Sequence, residues 1–386
     1  MNIDEIRSDT PGTAHGIHLL AAGSALMPCP VIDAVKDHLD LEARVGGYEA
    51  HRLEMDRLEA VYDSVAALVG GRAREIALVE NATVAWCQAF YALPFGPGDR
   101  VLTCEAEYGA NYVAYLQRAR RDGIVIDVVP STQSGSVDVD ALDAMIDDRV
   151  KLIATTWIPT NGGLVNPAAE IGRVARAHGV PYLLDGCQAV GQMPIDVAEL
   201  GCDFLSATGR KFLRGPRGTG FLWVRGDLIP DLEPAMIDHY AADWVATNDY
   251  ELRPDARRFE NWENAYALRA GLGAAVDYAL DLGIDTIQDR AWGLAARLRS
   301  GLTAIPGAKV RDLGDEKCAI VSFTIDGVDP VARVAELRQA GITIGTTDPA
   351  STRLDAEARG LPMMFRAAPH YYNTELEVDV LLSSLG

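Results

Sequence analysis

Lys211 stands where a lysine could do covalent chemistry. The chain has five lysines, Lys36, Lys151, Lys211, Lys309 and Lys317, and four of them lie on polar stretches that suit an ordinary surface. Lys211 instead ends the polar turn Thr208-Gly209-Arg210-Lys211, which follows the apolar Phe204-Leu205. A glycine-rich loop from Arg214 to Gly220 comes next and leads into Phe221-Leu222-Trp223-Val224. A lysine between two buried strands, with glycines that allow close backbone approach, suits an imine bond to an aldehyde cofactor. The same residues also suit a surface lysine in a basic turn.

A carboxylate lies upstream of it. Pro181-Tyr182-Leu183-Leu184-Asp185 reads as a buried parallel strand that ends in an acid. Open α/β sheets bind ligands at the carboxyl ends of their strands. An imine-forming lysine with a carboxylate for a pyridinium nitrogen is the pairing that pyridoxal phosphate (PLP) chemistry uses. Asp185 also suits a helix N-cap. Asn81-Ala82-Thr83 follows the short apolar run Ile76 to Val79 and opens a helix from Val84 to Tyr91. Such a helix start can hold a phosphate or simply cap itself.

These residues need elements to position them. Apolar runs at Val101–Cys104, Ile124–Val129 and Leu152–Thr156 alternate with helical spacing at Val139–Ile146 and Pro167–His178. That alternation predicts a mostly parallel sheet with helices on both sides. Val31–Ala43 and Arg52–Val69 read as helices separated by a Gly46-Gly47-Tyr48-Glu49 loop. Residues 225–256 read as a connecting region and Thr346–Gly360 as a mobile loop. Residues 1–18 form an N-terminal arm, 19–283 a large domain and 284–386 a small one.

Composition sets further bounds. The net charge of −20 comes from 35 basic and 55 acidic residues, and it argues against nucleic acid and anionic membranes as partners. Apolar residues make up 48% and charged residues 23%, the balance of a soluble globular protein. No apolar run is long enough to span a bilayer and no signal-peptide pattern opens the chain, so a cytoplasmic protein is expected. The six cysteines form no CxxC pair, which suggests neither a zinc site nor a disulfide framework. His15 and His18 lack further ligands, so no metal is expected.

Taken together, Asn81-Ala82-Thr83, Asp185-Gly186-Cys187-Gln188, Thr208-Gly209-Arg210-Lys211 and the run from Arg366 to Thr374 resemble a known family. It is the class V branch of the aspartate-aminotransferase fold, and the resemblance covers nearly the whole chain. That branch holds cysteine desulfurases, isopenicillin-N-epimerase-like proteins and ergothioneine-pathway C–S lyases. The resemblance implies an α/β architecture, fold type I of PLP enzymes. A large domain with a mostly parallel seven-stranded sheet would carry a smaller α+β C-terminal domain. It also implies a homodimer with shared active sites, in which the stretch holding Trp262 reaches the partner's phosphate site.

The resemblance assigns roles by position. Lys211 would form the imine and later act as base, Asp185 would bind the ring nitrogen, and Tyr108 would stack on the ring. Desulfurases carry a histidine where Tyr108 falls, and tyrosine has no group that titrates near neutral pH. Ala82, Thr83, Thr208 and Arg210 would contact the phosphate. Thr160 or Asn161 would serve the phenolic oxygen, and Gln188 that oxygen or the imine. Arg366 would clamp a substrate carboxylate, with Tyr48 and Ser24 close by. In desulfurases the loop matching Thr346–Gly360 carries a nucleophilic cysteine; here it holds Ser351 and Thr352. A persulfide needs a thiolate, so a standard desulfurase is not expected. The reading is an amino-acid enzyme that removes an α-proton, favouring a C–S lyase that acts by β-elimination on a cysteine-derived substrate. An epimerase or racemase, an aminotransferase and a non-catalytic PLP-fold binding protein are the alternatives.

Overall fold

The computed structural model describes all 386 residues. Seven runs of apolar residues form its main sheet: β1 (Ile76–Val79), β2 (Arg100–Cys104), β3 (Val125–Val129), β4 (Val150–Thr156), β5 (Tyr182–Asp185), β6 (Phe204–Thr208) and β7 (Gly220–Val224). Their order across the sheet is β1-β7-β6-β5-β4-β2-β3. Strands β3, β2, β4, β5 and β6 pair in parallel, while β7 runs antiparallel to both β6 and β1. The expected mostly parallel seven-stranded sheet is therefore present. Alternate side chains supply its two faces. Leu102, Ile153, Leu184 and Leu205 enter one core, and Val101, Leu152, Leu183 and Phe204 enter the other.

Helices cover both faces. Ala82–Ala92 starts at an Asn81 cap, and Gly109–Asp122 and Ala168–His178 each stop at a left-handed glycine, Gly123 and Gly179. A glycine there adopts positive φ without a steric penalty and ends the helix. Helix Tyr266–Leu282 packs on Cys29–Val45 and Met55–Val69. No helix is long and apolar enough to cross a membrane.

The C-terminal region carries a second, four-stranded antiparallel sheet. Its strands are Ala308–Val310, Val321–Ile325, Met364–Ala367 and Gly345–Thr347, in that spatial order. Helices Ile284–Leu302 and Glu375–Leu385 pack together beside it. The opening residues are tied to this region: Ile17 and His18 pair with Ile342 and Thr343, and Arg7 bonds Glu377 and the Tyr372 carbonyl.

Four local expectations change. Gly46 alone breaks the chain, and Gly47–Leu53 is already helical, because only Gly46 takes a positive φ. The expected helix from Arg52 is split at Glu54 and resumes at Met55. Within residues 225–256, Ala242–Ala246 and Asp249–Leu252 form an antiparallel hairpin about the two-residue Thr247-Asn248 turn. The Thr346–Gly360 segment is not a loop. It forms one strand edge, a 3₁₀ turn (Pro349–Thr352) and a helix (Arg353–Ala358), and Asp355 N–H donates to the Glu105 carbonyl.

The lysine turn is held from behind. Arg214, only 1% exposed, donates to the Leu26 carbonyl, Tyr371 hydroxyl and Thr10 hydroxyl, each at 2.7 Å. His370 Nε2 meets the Phe212 carbonyl at 2.7 Å. Gly191, with φ of +88°, lies directly against the Phe212–Leu213 backbone. A side chain there faces both a disfavoured φ and rigid backbone atoms. The Gly191→Ala variant is expected to lose at least about 2 kcal/mol of stability, read as a lower denaturant midpoint at unchanged slope.

Candidate active site

Six of the seven strands point the same way, and their carboxyl ends meet at one edge of the sheet. A pocket of about 480 Å³ opens there. Asn81, Ala82 and Thr83 reach it from the end of β1, and Tyr108 and Asn111 from the end of β2. Thr156, Ile158 and Thr160 come from β4, Asp185, Cys187 and Gln188 from β5, and Thr208, Arg210 and Lys211 from β6. The sheet thus brings together Ala82, Thr83, Tyr108, Thr160, Asp185, Gln188, Thr208, Arg210 and Lys211, which lie far apart in sequence.

Lys211 is 8% exposed. Its amine forms no ion pair, and the Cys187 thiol is a polar neighbour. Asp185 is 5% exposed and also lacks a cation. Its Oδ2 accepts from the Asn111 amide and its Oδ1 from the Cys187 backbone N–H, both at 2.9 Å. Asn81 caps the helix at its side: its Oδ1 accepts from Val84 N–H at 3.0 Å. The N–H groups of the first turn then remain available at the pocket wall. Arg210 donates to the Gly23 carbonyl. Thr208 spends its proton on the Thr219 carbonyl at 3.2 Å, so it offers the pocket only lone pairs.

Arg366 borders this pocket from the second sheet. Its Nη1 donates to both the carbonyl and the hydroxyl of Thr160, each at 2.8 Å. Its Nε is buried without a partner. Burial is the main force against its charge, with Arg210 adding to it. A guanidinium held on one side and empty on the other can take a carboxylate through two parallel hydrogen bonds. Gln188 is similarly half-used: its Nε2 donates to the Ala22 carbonyl at 3.2 Å, while its Oε1 is buried without a partner.

Three expected site residues, Asn161, Tyr48 and Ser24, lie elsewhere. Asn161 turns away from the pocket, because Thr160 faces Arg366; its amide donates to the Thr352 hydroxyl. It therefore ties the β4 loop to the 3₁₀ turn instead of serving a phenolic oxygen. Trp262, expected at a partner's site, stacks on His239 at 4.9 Å, outside this chain's own pocket. Tyr48 is 84% exposed and shares a separate cleft with Trp262. Ser24 is exposed and lines no part of the pocket. Asn111, Thr156 and Cys187 line the pocket without having been assigned a role from sequence. Asn111 lies one helical turn beyond Glu107, an i, i+4 spacing that was visible but had no partner until the sheet formed.

A second cavity of about 610 Å³ opens on the other side of Tyr108. Cys87, Tyr91, Val113, Ala114 and Ser351 line it, and no charged side chain does.

Comparison with known proteins gives this edge of the sheet a context. The family model for aminotransferase class-V matches residues 17–381. A probable cysteine desulfurase of Methanothermobacter thermautotrophicus is 30% identical over 394 residues, covering 100% of this chain and 98% of the relative. A cysteine desulfurase of Serratia proteamaculans is 33% identical, covering 99% of this chain and 97% of the relative. The crystal structure of an Escherichia coli cysteine desulfurase superposes with a TM-score of 0.90 at 26% identity, covering 100% of this chain and 97% of that one. With the family model spanning almost the whole length, the chain belongs to the aminotransferase class-V family.

Proposed function

We propose that the chain is a PLP-dependent C–S lyase, which converts a cysteine-derived amino acid and water into a thiol, pyruvate and ammonia. The observation that carries this reading is the pairing of a buried unpaired lysine with a half-used arginine across a pocket that holds no reactive thiolate.

The residues present fit the cofactor. PLP supplies an aldehyde that condenses with amines and a ring that draws electrons from a substrate α-carbon. The first turn of helix Ala82–Ala92, the Thr83 hydroxyl and the Arg210 guanidinium suit its phosphate. Asp185, which accepts two hydrogen bonds and meets no cation, suits a protonated ring nitrogen. Tyr108 suits the ring face. The open Oε1 end of Gln188 marks an unfilled hydrogen-bond position beside Thr160.

The protein groups then act in turn. Arg366 holds the substrate carboxylate through its free edge, and Thr160 keeps the guanidinium in plane. That grip turns the α-hydrogen toward Lys211, whose amine removes it. The C–S bond at the β-carbon breaks with its electron pair on sulfur, and the thiolate takes up the proton that Lys211 removed, which returns the lysine to its neutral form. The 2-aminoacrylate that remains adds water and decays to pyruvate and ammonia.

This route needs no thiolate from the protein, whereas persulfide formation does. The segment that matches the desulfurase cysteine loop offers Ser351, which lines the cavity beside Tyr108, and the buried Thr352. Burial pushes the Cys187 thiol up to about 11, against the pull of Lys211, so at neutral pH it stays protonated. Burial raises Cys87 as well. The apolar cavity beside Tyr108 supports a substituent on the substrate sulfur. Tyr48 and Trp262, exposed on one face away from the pocket, support a second copy of this chain as the partner that covers them.

Three outcomes are expected. Supplied with cysteine S-conjugates, the protein should release thiol and pyruvate in equal amounts, and Lys211→Ala should release neither. Entry of solvent deuterium into otherwise unchanged substrate would favour epimerase chemistry instead. Arg366→Met should raise KM about 10- to 100-fold, the scale of a lost charged hydrogen bond, with cofactor absorbance retained. Cys187→Ala should keep turnover within about threefold, since the wall it lines uses its backbone N–H and not a thiolate.

A further inference from the structure

We propose that Glu107 is a positioning residue for the cofactor site, acting on Asp185 through Asn111. The inference rests on the PLP reading above and goes beyond it, because Glu107 lies behind the pocket wall.

Glu107 is 3% exposed and forms no ion pair. Five donors surround it. Its Oε1 accepts from the Tyr108 backbone N–H at 2.7 Å, the Asn111 amide at 3.0 Å and the Thr156 hydroxyl. Its Oε2 accepts from the Thr103 hydroxyl at 2.9 Å and the Tyr115 hydroxyl at 3.2 Å. Five donors and no acceptor call for a group that only accepts, and an ionised carboxylate is that group. The same Asn111 nitrogen also donates to Asp185 Oδ2 at 2.9 Å. One amide therefore bridges two buried carboxylates.

Two buried acids without a cation are costly to keep charged. The other titratable groups facing Glu107 are Cys104 on β2, Tyr115 on helix Gly109–Asp122 and Tyr182 on β5, none of them cationic. In the free chain burial pushes the Glu107 carboxyl up to about 7, and Asp185 adds to the rise. A positive ring nitrogen against Asp185 offsets this cost for both acids. The arrangement describes a wall built for a cation that the protein itself does not supply. A purely structural tie between β2, β4 and the helix would not need the link to Asp185.

The test compares PLP with its analogue in which the ring nitrogen is replaced by C–H. The full chain, Glu107→Gln and Asn111→Ala are titrated with each, and binding is followed by absorbance. Both variants should bind PLP at least about tenfold more weakly, the scale of lost supporting hydrogen bonds. Their affinity for the analogue should stay within about twofold of the parent. Equal losses for PLP and analogue, or no loss for PLP, would overturn the inference. If Glu107→Gln does not fold, Asn111→Ala decides by the same comparison. A parent chain that binds neither compound would overturn the cofactor reading itself, and this inference with it.

Discussion

The arrangement depends on one buried cation that has no carboxylate partner. Arg214 takes a positive φ of 62° three residues after Lys211. It is satisfied by three oxygen acceptors and lies over the rings of Tyr371 and Tyr372 at 4.9 and 4.8 Å. Ring faces and neutral oxygens can hold a guanidinium while leaving every acid free for other uses. Through Thr10, Leu26 and Tyr371 this one side chain joins the chain's beginning and end to the turn that carries Lys211. The lysine is thereby fixed relative to Arg366, which arrives from the other sheet.

Charge is distributed unusually around the pocket. Elsewhere some buried charges are paired, as in Arg269–Glu260 and Arg299–Asp312, both at 2.7 Å, while Arg214 and Arg258 are held by neutral oxygens. At the site Lys211, Arg366, Asp185 and Glu107 are all without ion partners. The fold could have joined them to one another, but the strand ends hold the acids on the β2–β5 side and the cations at the β6 turn and the second sheet. Unpaired buried charges raise the free energy of an empty site. A ligand with a phosphate, a cationic ring and an amino acid's carboxylate lowers it at every point. Burial outweighs the pull of Lys211 and Arg210 on the Cys187 thiol and keeps it protonated, which leaves the β-carbon of the substrate as the place for the chemistry.

What could be read in advance was local. The strand ending at Asp185, the Asn81 helix start and the lysine turn each follow from short-range rules: apolar runs, caps and glycine. Their convergence followed from the parallel order that alternating strands and helices impose. Side-chain direction was not legible. Thr160 and Asn161 were equal in sequence, and only contact with Arg366 and Thr352 separates them. The Thr346–Gly360 segment looked loop-like because its buried residues are mostly polar, and two of them, Thr352 and Asp355, have partners in the other half of the chain. The hairpin at Thr247-Asn248 carries exposed aromatics in place of an inward apolar face, so its strand period was obscured. Glu107 gave no signal beyond its i, i+4 spacing to Asn111, since its five donors come from three separate elements.

The central claim is that Lys211 carries the cofactor. Reduction of the PLP-treated protein with borohydride, followed by peptide mapping, tests it directly. The account predicts a yellow protein whose visible band disappears on reduction, with a single stable adduct on Lys211. A protein that stays colourless with added PLP, or an adduct spread over Lys36, Lys151, Lys309 and Lys317 with Lys211 unmodified, would contradict it.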